Sequence, residues 1–343
     1  MKSHVLFTQR YYNGSVIQEI FMNALKTIRI QDIEGYQIGN AEYQEHATGV
    51  TVILPKGGAV TGLDIRGGGP ASRESGLLNP LAANDCVNAV VLSGGSAFGL
   101  DTATGVMQYL EERNIGFPTH AGVVPIVCTS CIYDLILDNT KRPDAALGYQ
   151  ACINSESYNY KDGNHGAGLG ATCGKICGTD HMMKSGIGSA AFQCGDLKVG
   201  AIAVVNCFGD IFDYETGRMI AGCYDYERRQ LISSEETMYA LQASPGLFHT
   251  NTTIGAILTN AQFNKTELTK IAGMAHDGMA RSINPVHTQH DGDSIYALAN
   301  GNIKADLNLV GTLAARAFAQ AVRNAAYSAQ EYRGLATAAS ISK

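Results

Sequence analysis

The sequence predicts a layered α/β protein, and three observations carry the prediction. Short apolar runs rich in Val, Ile and Thr read as buried strands, while longer stretches with a 3.6-residue apolar period read as helices. The two kinds of segment cluster and do not alternate as they would in a βαβ fold. The 39 glycines and the absence of Trp in 343 residues fit tight turns and backbone packed close to backbone.

The elements fall in this order. Residues 1 to about 35 have no clear pattern and read as an N-terminal extension, leaving 36–343 as a single domain. "TGVTVILP" (48–55) reads as a buried strand and "LDIRGGGPASRESGLLNP" (63–80) as a long glycine-rich loop. "VNAVVLSGG" (87–95) is a second apolar strand. It leads into "SAFGLDTATGVMQYLEERNIG" (96–116), where Phe98, Leu100, Val106, Met107 and Leu110 approximate a helical stripe and Gly116 a stop. "LSGGSAFG" lacks both GxGxxG spacing and a Walker lysine, so it is not read as a nucleotide loop. "GNHGAGLGATCGKICG" (163–178) is too rich in glycine for a regular helix.

"VGAIAVVNCFGDI" (199–211) is a strand closing at Asn206, and the polar stretch after residue 225, through "SSEETMYALQASPG", is the most linker-like part of the chain. "FHTNTTIGAILTNA" (248–261) reads as a strand with two threonines at its mouth. "NKTELTKIAGMAHDGMARSI" (264–283) is a helix capped by Asn264 with Glu267 three residues on. "GDSIYALANG" (292–301) is a strand and "NLVGTLAARAFAQAVRNAAYSAQ" (308–330) a long alanine-rich helix.

Composition excludes several functions. A net charge of −6 and the lack of any basic stripe argue against nucleic acid. No apolar run approaches membrane-spanning length, and "MKSHVLFTQRYYNGSVIQEIF" is not built like a secretory signal. Nine scattered cysteines, from Cys86 to Cys223, are simplest as reduced thiols in a cytoplasmic protein. "VCTSC" (Cys128, Cys131) has no second CxxC, and "HTQH" is not a zincin helix. His276, His287 and His290 are therefore not expected to hold a metal, and no cofactor is expected.

Candidate chemistry sits where polar residues interrupt apolar or glycine-rich segments. Thr252 and Thr253 open a strand, Lys175 stands among small residues, Asn206 ends a strand, and Asp291 and Asp293 bracket a glycine. Each has a plain structural reading: a strand threonine caps backbone, a lysine beside glycines is solvated, Asn caps a turn, and "DGD" is a turn or a weak cation loop. Together they supply the parts of an amide hydrolase without an evident histidine base. An N-terminal threonine needs none, because its own amine, with a free pKa of roughly 7.7–8, is the base. Thr252 is internal, so that chemistry requires the 251–252 bond to break.

The chain resembles the self-processing aminopeptidases of the DmpA type, which include L-aminopeptidase/D-esterases, β-peptidyl aminopeptidases and nylon-oligomer hydrolases. The resemblance runs from about Gly39 to Asn300 through "TGVTVILP", "GLDIRGGGPASRE", "RPDAALGY", "GLGATCGK", "VGAIAVVN", "NTTIGAILTNA" and "MAHDGMARSINPVHTQHDGDSIYALA". It implies a four-layer αββα sandwich like that of N-terminal-nucleophile hydrolases, and autocleavage between Asn251 and Thr252 into chains of 251 and 92 residues. It further implies a tetramer of the cleaved units and, as substrate, a small peptide or amide with a free amine. By resemblance Thr252 is the nucleophile, Asn206 stabilises the oxyanion, and Tyr133 lies near the substrate. Lys175, Asp291 and Asp293 match the nylon-oligomer enzymes, whereas the aminopeptidases carry Ser and Glu at the last two positions. An oligoamide hydrolase and an uncleaved binding protein are the alternatives.

Overall fold

The structure, a computed structural model, describes residues 25–242 and 251–341. Most of the expected extension (1–24), the end of the linker-like stretch (243–247) and Phe248–Thr250 lie outside them.

Twelve strands make two main sheets, numbered here in chain order: β1 (Lys26–Ile28), β2 (Tyr36–Tyr43), β3 (Thr48–Pro55), β4 (Ala59–Ile65), β5 (Ala71–Arg73), β6 (Cys86–Val87), β7 (Ala89–Ser93), β8 (Val127–Cys131), β9 (Ile187–Cys194), β10 (Leu197–Asn206), β11 (Thr252–Ala261) and β12 (Ser294–Ile303). One sheet runs β1-β9-β10-β11-β12-β4-β6 and the other β2-β3-β7-β8-β5. Pairing is antiparallel except at β11–β12 and β7–β8, which are parallel.

Side-chain alternation divides most of the apolar residues into three main cores, which fixes four layers. In β10 the odd positions Val199, Ala201, Ala203 and Val205 face two helices, α4 (Lys265–Ala280) and α5 (Leu307–Ser328). Its even positions Ile202 and Val204 face the second sheet, where they meet Ile38, Ile53, Val90 and Leu92. On the far side, Val50, Val52 and Val91 of the second sheet pack on α1 (Thr102–Glu111) and α2 (Ala145–Ser155) through Ala103, Val106, Leu147 and Ala151. The order helix, sheet, sheet, helix is the αββα sandwich that the resemblance implies.

Most elements lie where the sequence places them. β3 spans all of "TGVTVILP", and β10 ends on Asn206. α4 begins at a capping box in which Asn264 Oδ1 accepts from Glu267 N (2.9 Å) and Glu267 Oε2 from Asn264 N (2.8 Å). Three expectations differ. The chain joins the fold before residue 35: β1 pairs with β9, and Ile30 and Ile33 are buried between the sheets. The helix after "LSGG" starts late, since 96–101 is a 3-10 turn whose Phe98 is 54% exposed under the Arg142 guanidinium. α1 buries Val106 and Leu110 of the expected stripe together with a small-residue face around Ala103 and Gly105, and it ends at Glu111, ahead of Gly116. The linker-like stretch holds a hairpin (Cys223–Asp225 with Gln230–Ile232) and a helix, α3 (Ser234–Leu241), which Ser233 caps by accepting from Glu236 N.

Candidate active site

β11 is a central strand with a paired neighbour on each side, so its first residue sits at a rigid edge of the sandwich. In the β10–β11 ladder Asn206 is the direct partner of Thr252, which sets their Cα atoms about 5 Å apart. Thr252 is 3% exposed. Its Oγ1 accepts from Gly292 N at 3.2 Å and also donates to the carbonyl oxygen of Asn251, the bond immediately before it. Asn251 N in turn donates to His290 O at 3.3 Å.

The Asn206 side chain is held from several directions. Its Oδ1 accepts from Thr172 N (3.0 Å), Thr172 Oγ1 (3.2 Å) and Lys175 Nζ (3.0 Å), and its Nδ2 donates to Tyr133 O at 2.9 Å. Tyr133 thus enters the site through its backbone. Next to it, Asp134 accepts from Thr48 Oγ1 (2.6 Å) and Gly95 N (2.7 Å), tying the Tyr133 turn to the second sheet. Burial raises the Asp134 pKa to about 6.

Lys175 is 1% exposed, not solvated. Its ammonium donates to Thr172 O (3.1 Å), Asn206 O (3.2 Å) and Cys207 O (3.3 Å) as well as Asn206 Oδ1. Burial lowers its pKa to about 8. A second buried cation, Lys184, donates to Gly168 O and Ala171 O at 3.0 Å each, and burial lowers it to about 7.

The "DGD" loop faces β11 from the other side. Asp293 Oδ1 accepts from Thr253 N at 2.7 Å, and its Oδ2 accepts from His287 N (3.1 Å) and His287 Nδ1 (2.8 Å). Asp291 accepts from Thr288 N, Thr288 Oγ1 and Phe208 N. Burial first, and then the Asp293 charge, push its pKa up to about 7. The "RGGGP" run straps this loop down: Arg66 N donates to Asp293 O (2.9 Å), Gly68 N to Thr288 O (3.1 Å) and Gly69 N to Asp291 O (2.8 Å). Gly67 is obligatory here, because a Cβ would lie 2.4 Å from both Asp291 O and Asp293 N.

All the sequence-derived candidates therefore converge: Thr252, Asn206, Lys175, Asp291 and Asp293 by side chain, Asn251 and Tyr133 by their carbonyls. The histidines are placed otherwise. His276 Nε2 donates to Asp64 O at 3.1 Å, His287 serves Asp293, and the His290 ring tilts against Phe208. Sequence reasoning missed the Gly292 amide, the glycine strap, Asp134 and Lys184. Lys184, in "HMMKSG", carries the same signal that flagged Lys175: a lone ammonium among apolar and small residues. A cavity of about 650 Å³ bounded by Ile28, Phe192 and Arg316 lies away from this cluster.

A buried threonine hydroxyl set beside an amide, a cation and two carboxylates, at a strand mouth on an αββα sandwich, defines an amide hydrolase. The sequence pattern of peptidase family S58 matches residues 29–339, and the chain belongs to that family. An uncharacterized aminopeptidase of Mycobacterium tuberculosis (strain H37Rv) is 37% identical over 90% of this chain and 96% of its own. A 6-aminohexanoate-oligomer endohydrolase of Kocuria sp. is 34% identical over 81% of this chain and 76% of its own. In fold, the chain is similar to a Burkholderia sp. beta-aminopeptidase (TM-score 0.69, 18% identity, 92% of this chain and 91% of that one). It is also similar to the L-aminopeptidase D-Ala-esterase/amidase of Ochrobactrum anthropi, a variant of the Ntn hydrolase fold (TM-score 0.68, 17% identity, 90% of each chain).

Proposed function

We propose that the chain breaks its own Asn251–Thr252 bond and that the freed Thr252 then hydrolyses small peptides or amides bearing a free amine, as an aminopeptidase. The observation that carries this reading is the Thr252 hydroxyl, buried against the Asn251 carbonyl and opposite Asn206 in the ladder. In maturation, Thr252 Oγ adds to the Asn251 carbonyl carbon while its proton passes to the Thr252 nitrogen; the C–N bond breaks, leaving an Asn251 ester on Oγ and the free α-amine on Thr252. Water opens the ester to an Asn251 carboxylate and restores the hydroxyl.

In turnover, the Thr252 amine takes the Oγ proton as Oγ attacks the substrate carbonyl and returns it to the leaving amine; water, giving a proton to the same amine, then opens the acyl ester on Oγ to a carboxylic acid and restores the hydroxyl. Asn206, oriented by Tyr133 O, and a backbone N–H stabilise the oxyanion; one such donor is worth roughly 3–4 kcal/mol. Lys175 lowers the basicity of the Thr252 amine by like-charge repulsion and holds Asn206 Oδ1, so that the amide turns its Nδ2 outward. Asp291 and Asp293 hold an ammonium, either that of Thr252 or that of the substrate.

The test is a denaturing gel of purified protein, where wild type runs as fragments of 251 and 92 residues and Thr252→Ala as one intact band without turnover. A wild type that stays whole, turns over no amine-terminated amide and yet binds one tightly would mark the scaffold as a binding protein. A second reading, hydrolysis of ω-amino acid oligomers, is favoured by the Asp291/Asp293 pair and the 6-aminohexanoate-oligomer relatives. A panel of aminoacyl amides against short oligoamides separates the two. The nine cysteines, all thiols, support a cytoplasmic location. The proposed assembly, a tetramer of cleaved units without metal or nucleic acid, is checked by light scattering.

A further inference from the structure

The Asp293 carboxylate has two faces and two duties. One oxygen anchors Thr253 N at the mouth of β11; the other takes two donors from a single residue, His287 N and His287 Nδ1. His287 achieves this because its backbone lies in the left-handed region, φ +56°, a conformation that folds a short polar side chain back onto its own loop. Behind it stands His276 of α4, fully buried, its ring edge-on to the His287 ring with centroids 4.8 Å apart. His276 Nε2 points at Asp64 O, and burial lowers its pKa to about 4, so it stays neutral. His287 Nε2 and His276 Nδ1 are buried without a hydrogen-bond partner among the described residues.

We propose that His287 is a positioning residue for the nucleophile: as an Nδ1–H donor it locks the Asp293 carboxylate against β11 and makes Asp293 the charged member of the acid pair. The role rests on the reading of Thr252 as nucleophile.

The argument is electrostatic and geometric. Two carboxylates flanking one glycine cannot both ionise cheaply in a buried site. The proton goes to the acid whose anion is less well solvated. Asp293 receives three N–H donors, two of them from His287, whereas Asp291 receives one hydroxyl and two longer amide contacts at 3.2 and 3.3 Å. The groups facing this cluster are Asp291, His276, Asp64 and Arg66, with Lys175 beyond Asp291. None of them offers Asp293 Oδ2 a side-chain donor in place of His287. Without that donor the carboxylate can rotate, Thr253 loses its anchor, and Thr252 shifts with it.

The test compares three variants of the full chain. His287→Leu removes the donor. His287→Asn keeps an N–H near the Nδ1 position and tolerates the left-handed backbone, while His287→Gln carries its N–H one bond too far. In the cleaved fraction of H287L, kcat on an aminoacyl amide should fall by about 10- to 100-fold, the scale of lost orienting partners. KM should stay within about 3-fold, and the acid limb of kcat/KM should move to higher pH. H287N should recover kcat to within a few-fold and H287Q should not. An unchanged kcat and acid limb in H287L overturns the proposal, as does equal behaviour of H287N and H287Q if H287L fails to fold. A further readout needs no turnover: ¹⁵N spectra of the wild-type imidazoles should show a proton on His287 Nδ1, and a tautomer with its proton on Nε2 alone overturns the assignment. A wild type that neither cleaves nor turns over refutes the hydrolase reading instead, and leaves this spectral test standing.

Discussion

Gly292 packs its backbone directly against the nucleophile. A Cβ placed there would lie 2.8 Å from Thr252 Oγ1, 2.8 Å from Gly69 O and 3.0 Å from Pro70 Cα. Ordinary contact needs roughly 3.5 Å, so the hydroxyl or the strap must retreat by about 0.7 Å. The strap is held to the DGD loop by the hydrogen bonds of Arg66, Gly68 and Gly69, and Thr252 is the end of a laddered strand, so neither yields freely. Overpacking of this kind costs about 1–3 kcal/mol of stability. A nucleophile displaced by close to 1 Å loses on the order of 10²-fold in rate. Gly292→Ala should therefore fold, melt a few degrees lower, mature slowly on a denaturing-gel time course, and show kcat reduced by about 100-fold in its cleaved fraction. Cleavage at the wild-type rate with kcat within 2-fold would refute the placement of Thr252 Oγ1 against the Gly292 amide.

Buried acids and bases give a stability profile with a trough near neutral pH. Asp291, Asp134 and Asp210 have folded pKa values raised to about 7, 6 and 6, so the folded state holds more protons and stability from these groups is lost as pH rises from about 4 to 7. Lys184 and Lys175 are lowered to about 7 and 8; the unfolded state then holds more protons, and stability returns from about pH 7 to 10.5. Urea midpoints at pH 5, 7 and 10 check the trough, and Lys184→Met should flatten its basic side. Asn206→Ala takes from Thr172 N and Thr172 Oγ1 the acceptor that Asn206 Oδ1 gives them. It should cost about 2–6 kcal/mol at an unsatisfied-donor cost of roughly 1–3 kcal/mol each, read by chemical denaturation, and should abolish turnover. In Lys175→Met, the basic limb of kcat/KM near pH 8 should disappear along with most activity.

Legibility in the sequence followed burial. β3, β10, β11 and β12 are buried on both faces, so continuous apolar runs announce them, as the three cores explain. β1 was unreadable because it is a three-residue edge strand, mostly exposed, defined only by its partner β9. α3 looks like linker because Ser234 is its one buried residue, held by Asp210 through two hydrogen bonds in place of an apolar stripe. In the site, side chains that break an apolar run are conspicuous: Lys175, Asn206, Asp291 and Asp293. The Gly292 amide, the Tyr133 carbonyl and the Arg66–Gly69 strap act through backbone brought together by tertiary register, which no local pattern encodes. His287 drew notice only as a histidine considered for a metal and set aside, since its use depends on a left-handed turn.

The seven-stranded sheet interleaves material from both sides of the 251–252 junction. β11 and β12 lie downstream of it, yet they are gripped by upstream strands, β10 on one flank and β4 on the other. Were that peptide bond severed, these strand pairings would keep the two pieces interlocked like the fingers of clasped hands. Once unfolded, however, the pieces must find each other in solution, so maturation would convert a unimolecular refolding problem into a concentration-dependent one. A precursor that refolds from urea and a mature enzyme that does not is the natural signature of such a protein.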